Sequence, residues 1–307
     1  MKKLLIIYLL IISVKTTLAQ QDAMFTHYMF NTLSINPAYA GSRDALTVTG
    51  LHRSMWVGFE GAPITQTITL HTPIINDQLG LGVSILNDKI GPSNQTTFSL
   101  DLAYDFSLNK KFKLAFGLKS TLGLRSIKLT ELDLETKGDN AFSEDISNEI
   151  DKNLGAGLYL YSENFYMGAS SPALMEGSLY DSEVLSSLGS YQRHMFFTMG
   201  GVIKLNESIK FKPTSLVKIT EQAPIELDLT ASFLFNDKFW MGAMYRTGDA
   251  AGVLLGYYIT EQLAVGYSFD WSYANTTFKY NGGSHELMIR YDFIYHNQKQ
   301  IISPRYF

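Results

Sequence analysis

Side chains that often perform catalysis or bind metals are present in this chain, but their spacing matches no known site. The six histidines are scattered over 307 residues, with no H-E-x-x-H sequence and no pair four residues apart, which a metal site on a helix needs. The absence of cysteine excludes a thiolate nucleophile and a thiolate metal site. We therefore expect no catalytic residue, no metal and no cofactor. The histidines are His27, His52, His71, His194, His285 and His296.

Motifs for covalent catalysis and phosphate binding are also missing. The sequence has no G-x-S-x-G elbow, and Gly80 and Gly82 belong to a strand-like alternation rather than a phosphate loop. Because a Ser-His-Asp triad is recognised by geometry and not by spacing, a lipid hydrolase remains an alternative. Lys and Arg number 25 against 29 Asp and Glu. Without a basic surplus, nucleic acid is not an expected partner.

Acidic residues concentrate in one segment, Ser126–Lys152, which carries three lysines. Their spacing lacks the D-x-D-x-D-G order of a calcium-binding loop. We expect a solvated outer loop, with a partner or cation surface as the alternative. The eight acids are Glu131, Asp133, Glu135, Asp139, Glu144, Asp145, Glu149 and Asp151.

The first residues have the pattern of a secretory signal peptide. Two lysines precede an apolar run from Leu4 to Val14, and the small residue Ala19 then precedes Gln20. A membrane-spanning helix needs about 20 apolar residues, nearly twice this run. We predict a cleaved signal peptide over residues 1–19, with a permanent N-terminal anchor as the alternative.

Most of the remaining chain alternates apolar with polar or small residues, which is the pattern of strands with one apolar face. Only 18% of the residues are charged, against roughly 25% in typical soluble domains. Most of the alternating segments match the ~9–11 residues of a tilted membrane strand. The predicted strands are 45–52, 64–72, 79–87, 95–106, 111–125, 153–162, 164–170, 194–204, 208–218, 224–236, 238–247, 250–259, 261–272 and 284–294.

Short and long connections alternate between these strands, as in an outer-membrane barrel. A soluble β-sandwich is the alternative, but it gives no reason for this segregation. We predict an all-β protein: a single transmembrane antiparallel β-barrel of about 14 strands over residues 45–294. Residues 20–44 are then an N-terminal periplasmic segment and residues 295–307 a periplasmic tail, so both termini are periplasmic.

Charged strand residues are expected to face the lumen, because a Lys or Arg at the lipid midplane costs about 2–4 kcal/mol. Opposite signs on adjacent strands then predict ion pairs and a filled interior, and glycines fit small positions facing the lumen. The charged strand residues that test this prediction are Asp101, Asp105, Lys113, Lys119, Glu226, Asp228, Arg290 and Asp292.

Three motifs near the start of the predicted barrel carry a family resemblance. These are NPAYAG at Asn36–Gly41, an Arg-x-x-Trp at Arg53 and Trp56, and a Gly-Ala-Pro ending at Pro63. Together they resemble the PorP/SprF family of type IX secretion system outer-membrane proteins. The resemblance continues as a barrel pattern through His285–Phe293, so it covers essentially the whole mature chain.

The resemblance implies a non-enzymatic role in protein secretion, surface display and gliding motility. The implied partners are an exported surface protein or adhesin, a periplasmic secretion-ring protein and outer-membrane lipid. Core-machine and adhesin-dedicated roles both remain open. The runner-up function is a passive channel or hydrophobic-solute transporter, which predicts solute flux or a bound apolar ligand.

Candidate partner-binding residues come from these motifs and from one long loop. The NPAYAG segment has two interpretations: a structural turn with Tyr39 at the periplasmic rim, or a lumen plug or docking segment. Arg53 and Trp56 follow strand one, where Arg could stack on Trp or pair inside the barrel. The apolar loop Ser171–Arg193 is predicted to fold into the barrel mouth or to grip an exported protein. The candidates are Asn36, Pro37, Tyr39, Gly41, Arg53, Trp56, Leu174, Met175 and Tyr180.

Overall fold

The computed structural model describes most of the chain that follows the predicted signal peptide. The predicted signal peptide and the predicted tail after residue 294 lie outside the described residues. The described ranges are 24–43, 45–75, 78–131, 144–175, 177–178, 190–191, 193–221, 223–273 and 281–294.

Fourteen long strands form the wall of a barrel within these ranges. Further short elements are the pair Gly177–Ser178 with Ser190–Tyr191, the strand Ile203–Lys204, and 3-10 helices at Tyr28–Phe30, Thr32–Ser34, Pro37–Tyr39 and Leu129–Glu131. The wall strands are β1 (Leu46–Ser54), β2 (Ile64–Ile75), β3 (Leu79–Ile90), β4 (Ser93–Ser107), β5 (Lys113–Ile127), β6 (Ile146–Tyr161), β7 (Phe165–Ser171), β8 (His194–Gly201), β9 (Ile209–Thr220), β10 (Glu226–Phe235), β11 (Phe239–Arg246), β12 (Ala250–Tyr258), β13 (Leu263–Ser272) and β14 (Ser284–Phe293).

The sheet closes on itself. Each strand pairs antiparallel with the next, and β14 returns to β1 with Thr47 opposite Asp292. The shortest wall strand, β7, links β6 to β8, and β8 pairs with β9 from His194 to Gly200. Closure satisfies the backbone groups at the edge strands, as the bilayer requires. The prediction of an all-β antiparallel barrel of about 14 strands is confirmed.

Alternation along the strands separates an apolar outer face from a lumenal face. On β4, Leu100 and Leu102 are 47% and 45% exposed, whereas Asp101 between them is fully buried. Six of the eight charged test residues are buried on the lumenal side, and Lys113 and Glu226 are half-buried. The prediction that charged strand residues face the lumen is confirmed. Among the described residues, no helix has the length and apolarity needed to cross a membrane.

The two ends of the barrel differ. The turn end is where β1 begins and β14 ends; the loop end carries the connections 55–63, 128–145, 172–193 and 273–283. One connection predicted to be long, Asn87–Asn94, is instead the two-residue turn Gly91-Pro92, because β3 and β4 continue beyond their apolar alternation. Polar contacts extend the pair, since the Asn87 side chain donates to the Asn94 side-chain oxygen at 2.9 Å.

Candidate functional site in the lumen and at the loop end

Residues 24–43, here called the lumen plug, lie inside the barrel. All of them except Met24 and Ser34 are buried. The apolar side chains of the plug form two clusters with lumen-facing residues of the wall, one around Phe30 and Trp240 and the other around Leu33 and Tyr159. The described part of the segment predicted over residues 20–44 therefore packs within the lumen, the placement that the lumen-plug interpretation gave it.

The plug is held at the loop end by a buried network of charges. The backbone N–H groups of Thr26 and His27 each donate to the Glu286 carboxylate at 2.8 Å, and His27 Nδ1 lies 2.8 Å from it. Arg53 pairs with Asp270 at 2.7 Å and with Glu286 at 3.2 Å. Buried charges persist only when they are paired and hydrogen-bonded. Arg53, a candidate partner-binding residue, thus points inward and fixes the plug.

Asn36 ties the NPAYAG segment to the wall. Its side-chain oxygen accepts from Ala38 N at 3.0 Å, and its amide group donates to the Leu158 carbonyl of β6 at 2.9 Å. Pro37 opens the following 3-10 turn, a position where its missing N–H has no cost. These contacts give Asn36 and Pro37 a structural role in the lumen.

Glycines of the wall form the seat for this segment. A Cβ at Gly117 or Gly80 would overlap backbone atoms of the plug, and a Cβ at Gly157 would overlap the Asn36 side chain. On the plug side, Gly41 has a φ of +78° and lies against the Gly80 backbone. The plug and the wall therefore approach so closely that only glycine fits.

Tyr39 is buried in the lumen near the turn end. It is 3% exposed, and its ring makes edge contacts with Tyr159 at 5.5 Å and His71 at 5.1 Å. Gly41 N donates to His71 Nδ1 at 3.2 Å. Both candidates are thus internal, and neither presents a surface to a partner in this structure.

One ion pair and one hydrogen bond from a wall lysine hold the rest of the plug. Arg43 donates to both Asp292 oxygens, at 3.2 and 2.9 Å. Lys119 of β5 donates to the Leu33 carbonyl at 3.2 Å and pairs with Asp101. With Thr26 fixed at the loop end and Arg43 at the turn end, the plug crosses the lumen from one end to the other.

Trp56 organises the first loop at the loop end. Its φ is +46°, its backbone N–H donates to Ser284 Oγ and its indole N–H donates to Ser272 Oγ, both at 3.3 Å. Val57 exchanges two backbone hydrogen bonds with the facing loop: Val57 N donates to Gly283 O at 2.9 Å and Gly282 N to Val57 O at 2.7 Å. These hydrogen bonds hold the base of the 55–63 loop against residues 282–284 and Ser272.

The 55–63 loop also carries two exposed apolar side chains that were not among the candidates predicted from the sequence. Val57 and Phe59 are 42% and 46% exposed. The available signal was an apolar run interrupted by glycines in a loop that should be polar, M-W-V-G-F. Aromatic side chains such as Phe59 are enriched at protein-binding surfaces.

The second candidate loop starts inside the barrel mouth. Leu174 N donates to the Leu154 carbonyl at 2.7 Å, and the lumenal Asn153 side chain exchanges hydrogen bonds with the Met175 backbone at 2.9 and 3.0 Å. Residues 172–175 therefore fold across the inner face of β6, with the Leu174 and Met175 side chains exposed. Tyr180 lies outside the described residues.

The acidic loop is ordered at its base. Thr130 donates to the Asp145 carboxylate through its backbone N–H at 2.9 Å and its hydroxyl at 2.8 Å. These two hydrogen bonds lower the pKa of the Asp145 carboxyl. Within the described residues, no group of three or more His, Asp or Glu is arranged to hold a metal ion. Asp133, Glu135 and Asp139 lie outside them.

Comparisons with known proteins identify one family. The model of the family described as type IX secretion system membrane protein PorP/SprF matches residues 17–291. No curated protein matches the chain.

Similar solved structures are of low identity. The Acinetobacter baumannii outer membrane protein Omp33 has a TM-score of 0.46 and 12% identity, over 82% of this chain and 100% of that chain. The P. putida toluene transporter TodX has a TM-score of 0.46 and 8% identity, over 87% and 95%. The KdgM porin has a TM-score of 0.37 and 10% identity, over 81% and 99%.

Proposed function

Because this chain belongs to the PorP/SprF family of type IX secretion system membrane proteins, we propose that it binds and retains an exported surface protein at its loop end. The chain is an outer-membrane barrel component of that secretion system, and the proposal concerns what it does there. In this role the barrel is a non-enzymatic scaffold. The plug occupies its lumen, and the proposed partners bind at its two ends.

The lumen plug is the observation that carries this proposal. A passive channel or a solute transporter needs a path along the lumen. Here the path is occupied by twenty residues of the same chain, anchored to Glu286 at one end and Asp292 at the other. A barrel that is filled by its own buried, hydrogen-bonded segment is better suited to present its rims than to conduct solutes.

The loop end offers the surface for an exported protein. Long loops of bacterial outer-membrane barrels face the outside. The loop carrying Val57 and Phe59 is held by Trp56, so little conformational entropy is lost when a partner binds it. Leu174 and Met175 add exposed apolar side chains at the same end of the barrel. The turn end, facing the periplasm in this arrangement, is left for a periplasmic secretion-ring protein.

The retention role is tested by changing the loop end without changing the lumen. We expect Phe59→Ser combined with Val57→Ser to release the exported protein from the cell surface into the medium, while the amount of barrel in the outer membrane stays the same. Leu108→Ser is the matched control, because Leu108 is also an exposed apolar residue but lies at the turn end.

Two results would contradict the proposal. One is retention that survives the loop-end change and also survives Leu174→Ser with Met175→Ser. The other is solute flux or single-channel conductance through the unchanged protein in planar bilayers, which would favour the channel alternative.

A further inference from the structure

A second group of buried side chains surrounds Phe30 of the plug, closer to the turn end. The Trp240 ring lies 5.0 Å from the Phe30 ring, and Arg290 Cζ lies 5.3 Å from its centroid. Tyr258 contacts both of these neighbours, with its ring 5.0 Å from Trp240 and 6.0 Å from Arg290 Cζ. Arg290 and Trp240 therefore share both aromatic neighbours, although they belong to different strands.

Polar atoms in this group are buried without a hydrogen-bond partner. They are Nε and Nη1 of Arg290 and the indole Nε1 of Trp240, in side chains that are each 1% exposed. The remaining guanidinium nitrogen of Arg290 donates to the Tyr258 hydroxyl at a long 3.3 Å. Buried donors left without acceptors are costly, and each one in a native structure requires an explanation.

The nearest carboxylate does not supply the missing acceptors. Asp292 lies 3.8 Å from Arg290 Nε, beyond hydrogen-bond distance. Its oxygens already accept from Arg43 and from the Thr47 hydroxyl. Arg43 and Arg290 both face the Asp292 carboxylate, and the contact of Arg290 with it is the longer one.

A second basic side chain borders the same ring. Lys212 Nζ lies 4.9 Å from the Phe30 centroid, so this nitrogen and the Arg290 guanidinium are within about 10 Å of each other. Ring contacts stabilise cations only modestly, by roughly 0.5–2 kcal/mol. An anion that accepts from Arg290 and Trp240 would compensate both the charge and the unused donors.

We propose that this group is a binding site for a small oxyanion, with inorganic phosphate as its representative. Phosphate offers several acceptor oxygens, and guanidinium groups recognise it in preference to a spherical anion. Since Phe30 belongs to the plug, the bound anion stabilises the plugged barrel. The site is independent of the loop-end surface, so it can fail without affecting the retention role.

Phosphate titration of the full mature chain in detergent tests the site. Chloride at matched ionic strength is the reference. We expect a saturable heat of binding and a thermal unfolding temperature that rises with phosphate and not with chloride. Trp240 emission, obtained as the difference between the unchanged protein and Trp240→Phe, should follow the same curve.

Variants assign the effect to the named donors. Arg290→Met should abolish saturable phosphate binding, and Trp240→Phe, which keeps the ring packing, should weaken it about tenfold, as expected for one lost hydrogen bond to a charged group. Arg125→Met, a lumen-facing arginine at the loop end, is the matched control and should bind normally. The proposal is overturned by an absent or non-saturable response, by an equal response to chloride, or by unchanged affinity in Trp240→Phe.

Discussion

A single methyl group added to the wall should unseat the plug. In Gly117→Ala, the new Cβ would overlap Ala38 N and the Pro37 carbonyl carbon, and backbone atoms cannot rotate away. Overpacking of this kind costs about 1–3 kcal/mol. The seat is weakened by this amount, which raises the unseated population by roughly five- to a hundredfold, since ~1.4 kcal/mol is a factor of ten.

Single-channel recording in planar bilayers measures this change. The unchanged protein should remain closed, and Gly117→Ala should show openings. Gly50→Ala is the matched control, because Gly50 lies on the outer face of β1, where a Cβ meets only the Ile289 side chain at 3.3 Å and the Thr67 carbonyl oxygen at 4.0 Å. If Gly117→Ala stays closed and its unfolding temperature equals that of Gly50→Ala, the plug is not seated on β5 and the reasoning fails.

The remaining predictions concern the loop-end network, the lipid face and the acidic loop. Arg53→Met leaves buried carboxylates unpaired and should lower the free energy of unfolding by about 3–5 kcal/mol, measured by urea unfolding in lipid; an unchanged midpoint would exclude the network as a determinant of stability. Leu100→Arg puts a charge on the lipid face at about 2–4 kcal/mol and should reduce insertion into the outer membrane, and normal insertion would place Leu100 away from lipid. The fold lowers the pKa of the Asp145 carboxyl, so the hydrogen bonds to its carboxylate stabilise the fold fully at a pH above the pKa of the unfolded state. This stabilisation is lost as the pH falls through the pKa of the folded state. Hydrogen-exchange protection of the Thr130 amide should therefore fall on acidification, and Asp145→Asn should remove that dependence; protection that is constant with pH would contradict the assignment.

The sequence by itself determined the wall of this protein. The lipid on one side and the lumen on the other impose a period of two on every strand, so Leu100 and Asp101 reveal their opposite faces locally. The same rule placed Arg290 and Asp292 in the lumen before any contact was known. The NPAYAG and Arg-x-x-Trp motifs identified the family, because they are recognisable without knowing what they touch.

Only the tertiary structure decided what fills the barrel. The plug is irregular, with three-residue helices, and no periodicity states where it packs. Its position depends on residues about 260 positions away in the chain, such as Glu286, which accepts a hydrogen bond from His27. It also depends on wall glycines such as Gly157, which contact Asn36 only in the closed barrel. Arg53 was assigned to a partner surface for this reason. A side chain at the end of a strand can turn outward or inward, and only the buried carboxylates supplied by β13 and β14 make the inward direction favourable.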